Sequence, residues 1–136
     1  DNQCISINSF TWTISMALII IAEDDEQVRL IIGQMLEDDG HECLSFSNGD
    51  EALEGVRNNP GVDLLVLDIF MPFSDGRDLV TILRKGPPRF RTIPVLLISG
   101  VFPDEPSRLH SEDPKCKFLR KPFTGELLRM TINSLL

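Results

Sequence analysis

Apolar runs alternate with amphipathic segments along most of the chain. Ala17 to Ala22 is a continuous β-rich run. Residues 26–39 then place Val28, Ile31, Ile32, Met35 and Leu36 at i, i+3, i+4, i+7 and i+8, the stripe of a helix. Gly40 stands where a helix C-cap is expected. His41 to Phe46 predicts a shorter, more polar strand. Asn48 or Ser47 caps a helix through about Arg57, with Ala52, Leu53 and Val56 turned inward. Val62 to Leu67 is the third strand. Leu79, Ile82 and Leu83 mark a helix that Gly86-Pro87-Pro88 ends. Ile93 to Ile98 is the fourth strand, with Pro94 tolerable so near its start. Residues 104–112 form a weak helix at most, because Pro103, Pro106 and Pro114 crowd it. Lys115 to Leu119 is the fifth strand, and Thr124 caps a last helix carrying Leu127, Leu128, Ile132 and Leu135.

Five strands, each followed by a helical segment, predict an α/β domain with a parallel sheet. Strands one, three and four are almost wholly apolar, as a sheet covered on both faces requires. Right-handed crossovers put every strand's C-terminal end on one edge, and ligands of open α/β sheets bind at that edge. Residues 1–15 differ from the rest. They are polar, rich in Ser, Thr and Asn, and hold the single tryptophan, Trp12. We expect Met16 to be the natural start, residues 16–136 to form the domain, and residues 1–15 to be a tag or a native extension outside the core. In the second case they would pack as an extra strand.

The residues just past the strand ends converge on one chemistry. Strand one runs into Glu23-Asp24-Asp25, strand three into Asp68, strand four into Ser99-Gly100 and strand five into Arg120-Lys121-Pro122. A single acid after a strand is often only a helix cap. Acids from two strands, a hydroxyl from a third and an amine from a fourth are harder to explain that way. Crowded carboxylates repel one another unless a cation sits among them. Hard oxygen ligands favour Mg²⁺. A lysine and a hydroxyl opposite the cation suit a phosphate, and a carboxylate between cation and lysine can itself be the nucleophile.

Composition narrows the picture little. The 136 residues suit one core, and 42% hydrophobic with 25% charged residues is ordinary for a globular chain. A net charge of -8 argues against nucleic acid or anionic membrane as a partner. Cys4, Cys43 and Cys116 form no zinc pattern and read as reduced thiols in a cytoplasmic protein. The longest apolar run, Met16 to Ala22, falls far short of the ~20 residues that span a bilayer. His41 and His110 are expected at the surface.

Five pieces in order carry a family resemblance: IIIAEDD with Arg29 shortly after, SNGDEAL, LLVLDIFMPFSDG, PVLLISG and KFLRKPF. Together they resemble the receiver domain of two-component response regulators over about Met16 to Leu136. The resemblance implies a flavodoxin-like, doubly wound sheet of order 2-1-3-4-5 with helices on both faces. It implies that Asp68 is the phosphoacceptor, and that Glu23, Asp24, Asp68 and the Phe70 backbone carbonyl hold Mg²⁺. Ser99 and Lys121 would meet the phosphoryl group, Phe118 would be the switch aromatic, and the Lys121–Pro122 bond would be cis. Asp25 matches a position that is not usually a ligand, and Asp75 is expected to cap the third helix.

The implied partners are a histidine kinase or histidine phosphotransfer protein, and a downstream protein or covalently linked domain. The implied chemistry is that of a phosphoacceptor which assists its own phosphorylation and dephosphorylation, rather than of an enzyme. One departure stands out. Residues 101–116, VFPDEPSRLHSEDPKC, are rich in proline and acid where the family has a regular fourth helix, so a short, shifted or partly melted helix is expected there. Two other readings stay open. One is a receiver-like interaction module without phosphorylation. The other is a haloacid-dehalogenase-like phosphatase, which normally needs a second aspartate where this chain has Phe70.

Overall fold

The computed structural model describes residues 2–7, 10–72, 74–100 and 112–136, the first 15 positions as backbone alone. Strands β1 (Asn2–Ile7) and β2 (Phe10–Ser15) pair antiparallel with one another. Among the described residues these two strands form their own two-stranded sheet.

The main sheet holds β3 (Leu18–Ala22), β4 (Glu42–Phe46), β5 (Leu64–Asp68), β8 (Val95–Ser99) and β9 (Cys116–Arg120). All neighbours are parallel, and the order is β4-β3-β5-β8-β9. Counting only these five strands, that is 2-1-3-4-5, as expected. Two short strands, β6 (Phe70–Met71) and β7 (Ser74–Asp75), pair antiparallel just beyond β5.

Alternation along each strand sorts the core into two layers, because successive side chains leave opposite faces. Ile19, Ile21, Leu64, Val66, Leu96 and Ile98 pack under α1 (Glu26–Asp38) and α5 (Gly125–Leu135). Ile20, Leu65, Leu67, Val95 and Leu97 pack under α2 (Gly49–Asn58) and α3 (Gly76–Arg84). Every residue of β5 and β8 is buried. The apolar runs thus become central strands covered on both faces.

Caps fix where the helices begin. Asp25 accepts from Gln27 N and Val28 N, Asn48 from Glu51 N, Asp75 from Arg77 N and Thr124 from Leu127 N. Gly40 takes φ 90 just after α1, a conformation glycine adopts without steric cost. Gly86-Pro87-Pro88 ends α3 as read, but Pro88 also opens a short helix, α4 (Pro88–Arg91). His41 is half-buried rather than exposed and accepts a hydrogen bond from Ala17 N. The weak helix expected over 104–112 and the altered segment over 101–116 fall mainly on residues 101–111, which lie outside the described residues, as does His110.

A guanidinium ties α3 to the approach to β9. Arg84 Nε donates to Asp113 Oδ2 at 2.7 Å, both side chains being mostly sheltered, and Nη1 donates to the Phe90 carbonyl at 3.3 Å. Removing the guanidinium leaves a sheltered carboxylate without its cation. Arg84→Ala is expected to cost about 2 kcal/mol in a denaturant melt, within the range for charged hydrogen bonds. Arg84→Lys is expected to recover part of it, since a lysine cannot reproduce the fork.

Candidate functional site

The C-terminal edge of the sheet is built by short devices after each strand. Glu23 follows β3 and is fully buried; its N–H donates to the Phe46 carbonyl at the end of β4. Arg29 reaches back from α1, and its Nη1 donates to the Glu23 carbonyl at 2.8 Å. The acidic turn is thereby held from both sides. Asp25 spends its carboxylate on the α1 cap, which removes it from the cluster. Asp24 stands exposed beside it.

Asp68 ends β5 and is 5% exposed. Glu23, Asp24 and Asp68 offer carboxylate oxygens that all lie within 4.8 Å of one another. Lys121 closes the opposite side. Its Nζ pairs with Glu23 Oε1 and lies 3.7 Å from Asp68 Oδ2. Glu23 Oε2 is buried without a hydrogen-bond partner. A buried carboxylate oxygen with nothing to bind is costly, and a cation among the three acids would satisfy it. The donor set is all oxygen, which fits a hard divalent ion.

Burial pushes the Asp68 carboxyl up to about 8. The facing Glu23 adds to that push and Asp24 adds a smaller one, while Lys121 pulls the other way. Without a cation, then, this carboxyl resists ionisation at neutral pH.

Ser99 ends β8 and is buried, one residue past Ile98, the Cα partner of Asp68. Its carbonyl accepts from Lys121 N at 2.9 Å, which ties the hydroxyl-bearing and amine-bearing strand ends together. The Lys121–Pro122 bond is cis. Phe118 is half-buried in β9, opposite Leu97, and packs on the α2–α3 layer away from the carboxylates. Phe70 lies two residues beyond Asp68 in β6, 48% exposed, with the Arg77 guanidinium 5.5 Å from its ring centroid. Arg77 is itself paired with Asp75 at 2.7 Å.

Two features escaped the sequence reading. Gly76 packs against the backbone of Asp68 so closely that a Cβ would sit 2.5 Å from the Asp68 carbonyl oxygen. An apolar groove of about 470 Å³ also opens beside the site, lined by Val28, Ile31, Met35, Lys121, Pro122 and Phe123. Ile31 belongs to the apolar stripe of α1 by its period, yet it is 53% exposed.

Comparison with known proteins agrees with this geometry. The family model of the response regulator receiver domain matches residues 19–133. The chain is 34% identical over 121 residues to the sensor kinase CckA of Brucella abortus, covering 88% of this chain and 12% of the kinase. It is 30% identical over 128 residues to the 3',5'-cyclic-nucleotide phosphodiesterase regA of Dictyostelium discoideum, covering 90% and 16%. The chain thus spans a small fraction of these relatives' length. Among solved structures, the receiver domain of the hybrid histidine kinase CckA superposes with a TM-score of 0.72 at 31% identity, over 88% of this chain and all of that one. The chemotaxis protein CheY4 of Vibrio cholerae gives 0.81 at 24% identity, covering 90% of this chain and 100% of that one, and so speaks for the fold alone. Match, topology and converging acids lead to one assignment: the chain belongs to the response regulator receiver domains, the phosphoacceptor modules of two-component signalling.

Proposed function

We propose that Asp68 accepts a phosphoryl group from the phosphohistidine of a histidine kinase or histidine phosphotransfer protein. Glu23, Asp24, Asp68 and the Phe70 carbonyl would hold Mg²⁺. The observation that carries this reading is the set of three carboxylates within 4.8 Å, facing Lys121, with one Glu23 oxygen buried and unpartnered.

Mg²⁺, when bound, supplies positive charge that neutralises the oxygens of the transferring phosphoryl group. The chain's residues do the rest. An Asp68 carboxylate oxygen attacks phosphorus while the P–N bond to the donor imidazole breaks, and its electron pair returns to the ring nitrogen. Lys121 leaves Glu23 for the phosphoryl oxygens, and the Ser99 hydroxyl donates to them. The loop at Ser99 moves inward, Phe118 follows into the space it leaves, and the face made by β9 and the helical segment expected before it changes. Water later cleaves the acyl phosphate and returns Asp68 to the free acid. The role is that of a signalling switch in the cytoplasm, and Cys43 and Cys116 are free thiols, as a reducing compartment would keep them. Among the described residues no helix is long and apolar enough to cross a membrane.

Intact mass after incubation with acetyl phosphate tests the reading. A gain of one phosphoryl group that requires Mg²⁺ is the expected result; no gain with Mg²⁺ bound would mean a receiver that needs its protein donor, and no gain without Mg²⁺ binding would leave the domain as an interaction module.

The groove lined by Ile31, Met35, Pro122 and Phe123 shares Lys121 with the site, so a donor protein delivering a phosphohistidine to Asp68 would cover it. Ile31→Glu is expected to slow transfer from a protein donor by about tenfold, since a buried apolar contact becomes a desolvated charge. Phosphorylation by acetyl phosphate should be unchanged, which separates docking from chemistry.

A further inference from the structure

The domain is acidic as a whole, yet one corner is strongly basic. The segment Arg84-Lys85-Gly86-Pro87-Pro88-Arg89-Phe90-Arg91 holds four cations and no acid. The topology brings two more to the same place. Helix α3 begins just past the C-terminal end of β5 and runs back, so its end lies at the N-terminal edge of the sheet. Arg57 ends α2 shortly before β5 starts, and Lys115 directly precedes β9. Contacts join these pieces: Arg89 Nη2 donates to the Arg57 carbonyl at 3.3 Å, and Arg91 Nε to the Gly86 carbonyl at 2.8 Å. Of the described acids at this edge, Glu54 pairs with Arg57 and Asp113 with Arg84, Asp63 accepts from Leu18 N at 2.8 Å, and exposed Glu112 precedes Asp113.

Part of this charge serves the helices, since cations at a C-terminal end offset its negative pole. That does not account for the number. Lys85, Arg89 and Arg91 are all exposed, and they stand on the opposite edge of the sheet from Glu23, Asp24 and Asp68.

We infer that this corner is a docking surface for an acidic protein segment, separate from the phosphoacceptor edge. Charge complementarity names the occupant. A net charge of -8 repels a dense polyanion such as nucleic acid or an anionic membrane at long range, whereas a short acidic peptide meets mainly the local field. The corner also lacks what those surfaces use. Phe90 is only 6% exposed, beneath the Arg89 guanidinium, and offers no open ring for base stacking. A docking face far from Asp68 suits a module whose relatives carry it within much longer chains.

The test uses the whole chain and a fluorescein-labelled decaglutamate probe, read by fluorescence anisotropy. Binding is expected at low ionic strength and is expected to weaken by about tenfold near 0.15 M salt, where exposed charges are screened beyond ~8 Å. Lys85→Glu and the pair Arg89→Gln with Arg91→Gln should each weaken it at least threefold, a figure on the order of one lost surface ion pair. Melting curves identify any variant that fails to fold, and uptake of a phosphoryl group from acetyl phosphate should match wild type in the folded ones. Absent binding at low salt, or equal binding by folded variants, would overturn the inference. So would tighter binding of a single-stranded DNA oligomer or of phosphatidylserine vesicles, which would assign the corner to another class of partner.

Discussion

Asp68→Asn is expected to take up no phosphoryl group from acetyl phosphate under conditions where wild type gains one. An amide oxygen is a poor nucleophile, and no nearby carboxylate can take over. Glu23 is fully buried with one oxygen on Lys121, and Asp24 is exposed and lies at the end of a different strand. The same change should make the metal-free fold more stable at pH 7, which separates loss of chemistry from loss of structure. The sign follows from the carboxyl's shift from 3.8 to about 8, caused first by burial and then by Glu23. Between those values the folded state holds a proton that the unfolded state has released. Wild-type stability therefore falls as pH rises through that window and levels off above it. The amide has no such proton, so the variant's margin over wild type should open from acidic pH and be largest near the top of the window. Melts in chelator at several pH values read this directly. Adding Mg²⁺ should narrow the margin, because at ten times its dissociation constant a ligand stabilises the wild-type fold by about 1.4 kcal/mol. A variant that still gains the mass would move the acceptor elsewhere, and a margin that does not depend on pH would mean that the metal-free fold does not hold Asp68 protonated.

The three central strands were legible as apolar runs long enough to cross the sheet once, and the two edge strands as shorter, partly polar segments between helices; the observed boundaries lie within two residues of those expected. The acids were legible because a buried strand that ends on a carboxylate is a costly arrangement, and two strands here do so. Exposure on the helices was not legible. Ile31 and Leu127 satisfy a helical period, but period says which residues share a face, not how much of that face a neighbour covers. The groove beside Lys121 was hidden for that reason. Helix α4 was missed because two prolines were read only as a stop, although a proline is also favoured at the first position of a helix. The pairing of Arg84 with Asp113, 29 residues apart, follows from topology that no local pattern encodes.

Gly76→Ala is expected to be among the most damaging substitutions of a single small group. The added Cβ would stand 2.5 Å from the Asp68 carbonyl oxygen and 3.2 Å from Leu97 Cδ2. A side chain could swing aside, but the carbonyl belongs to a central strand paired with its neighbour. It cannot retreat without moving Asp68. Gly76 also donates its own N–H to the Ile69 carbonyl at 2.9 Å, so helix α3 cannot slide outward without losing that bond. Crowding a packed interior typically costs 1–3 kcal/mol, and a rigid obstacle places this case at about 3 kcal/mol, or a melting point lower by roughly 10 °C for a chain of this size. The requirement is spatial: Gly76 opens a helix with ordinary backbone angles, unlike Gly40 with its φ of 90. Gly61→Ala supplies the contrast, since nothing lies within 4 Å of its added Cβ. It should be neutral, or more stable by up to about 1 kcal/mol through a less flexible unfolded chain. The Gly76 variant, where it remains folded, should also accept phosphate more slowly from acetyl phosphate, because the carbonyl it displaces belongs to the acceptor itself. Equal melting points for Gly76→Ala and wild type would mean that α3 gives way freely, and that Asp68 is held by its strand alone.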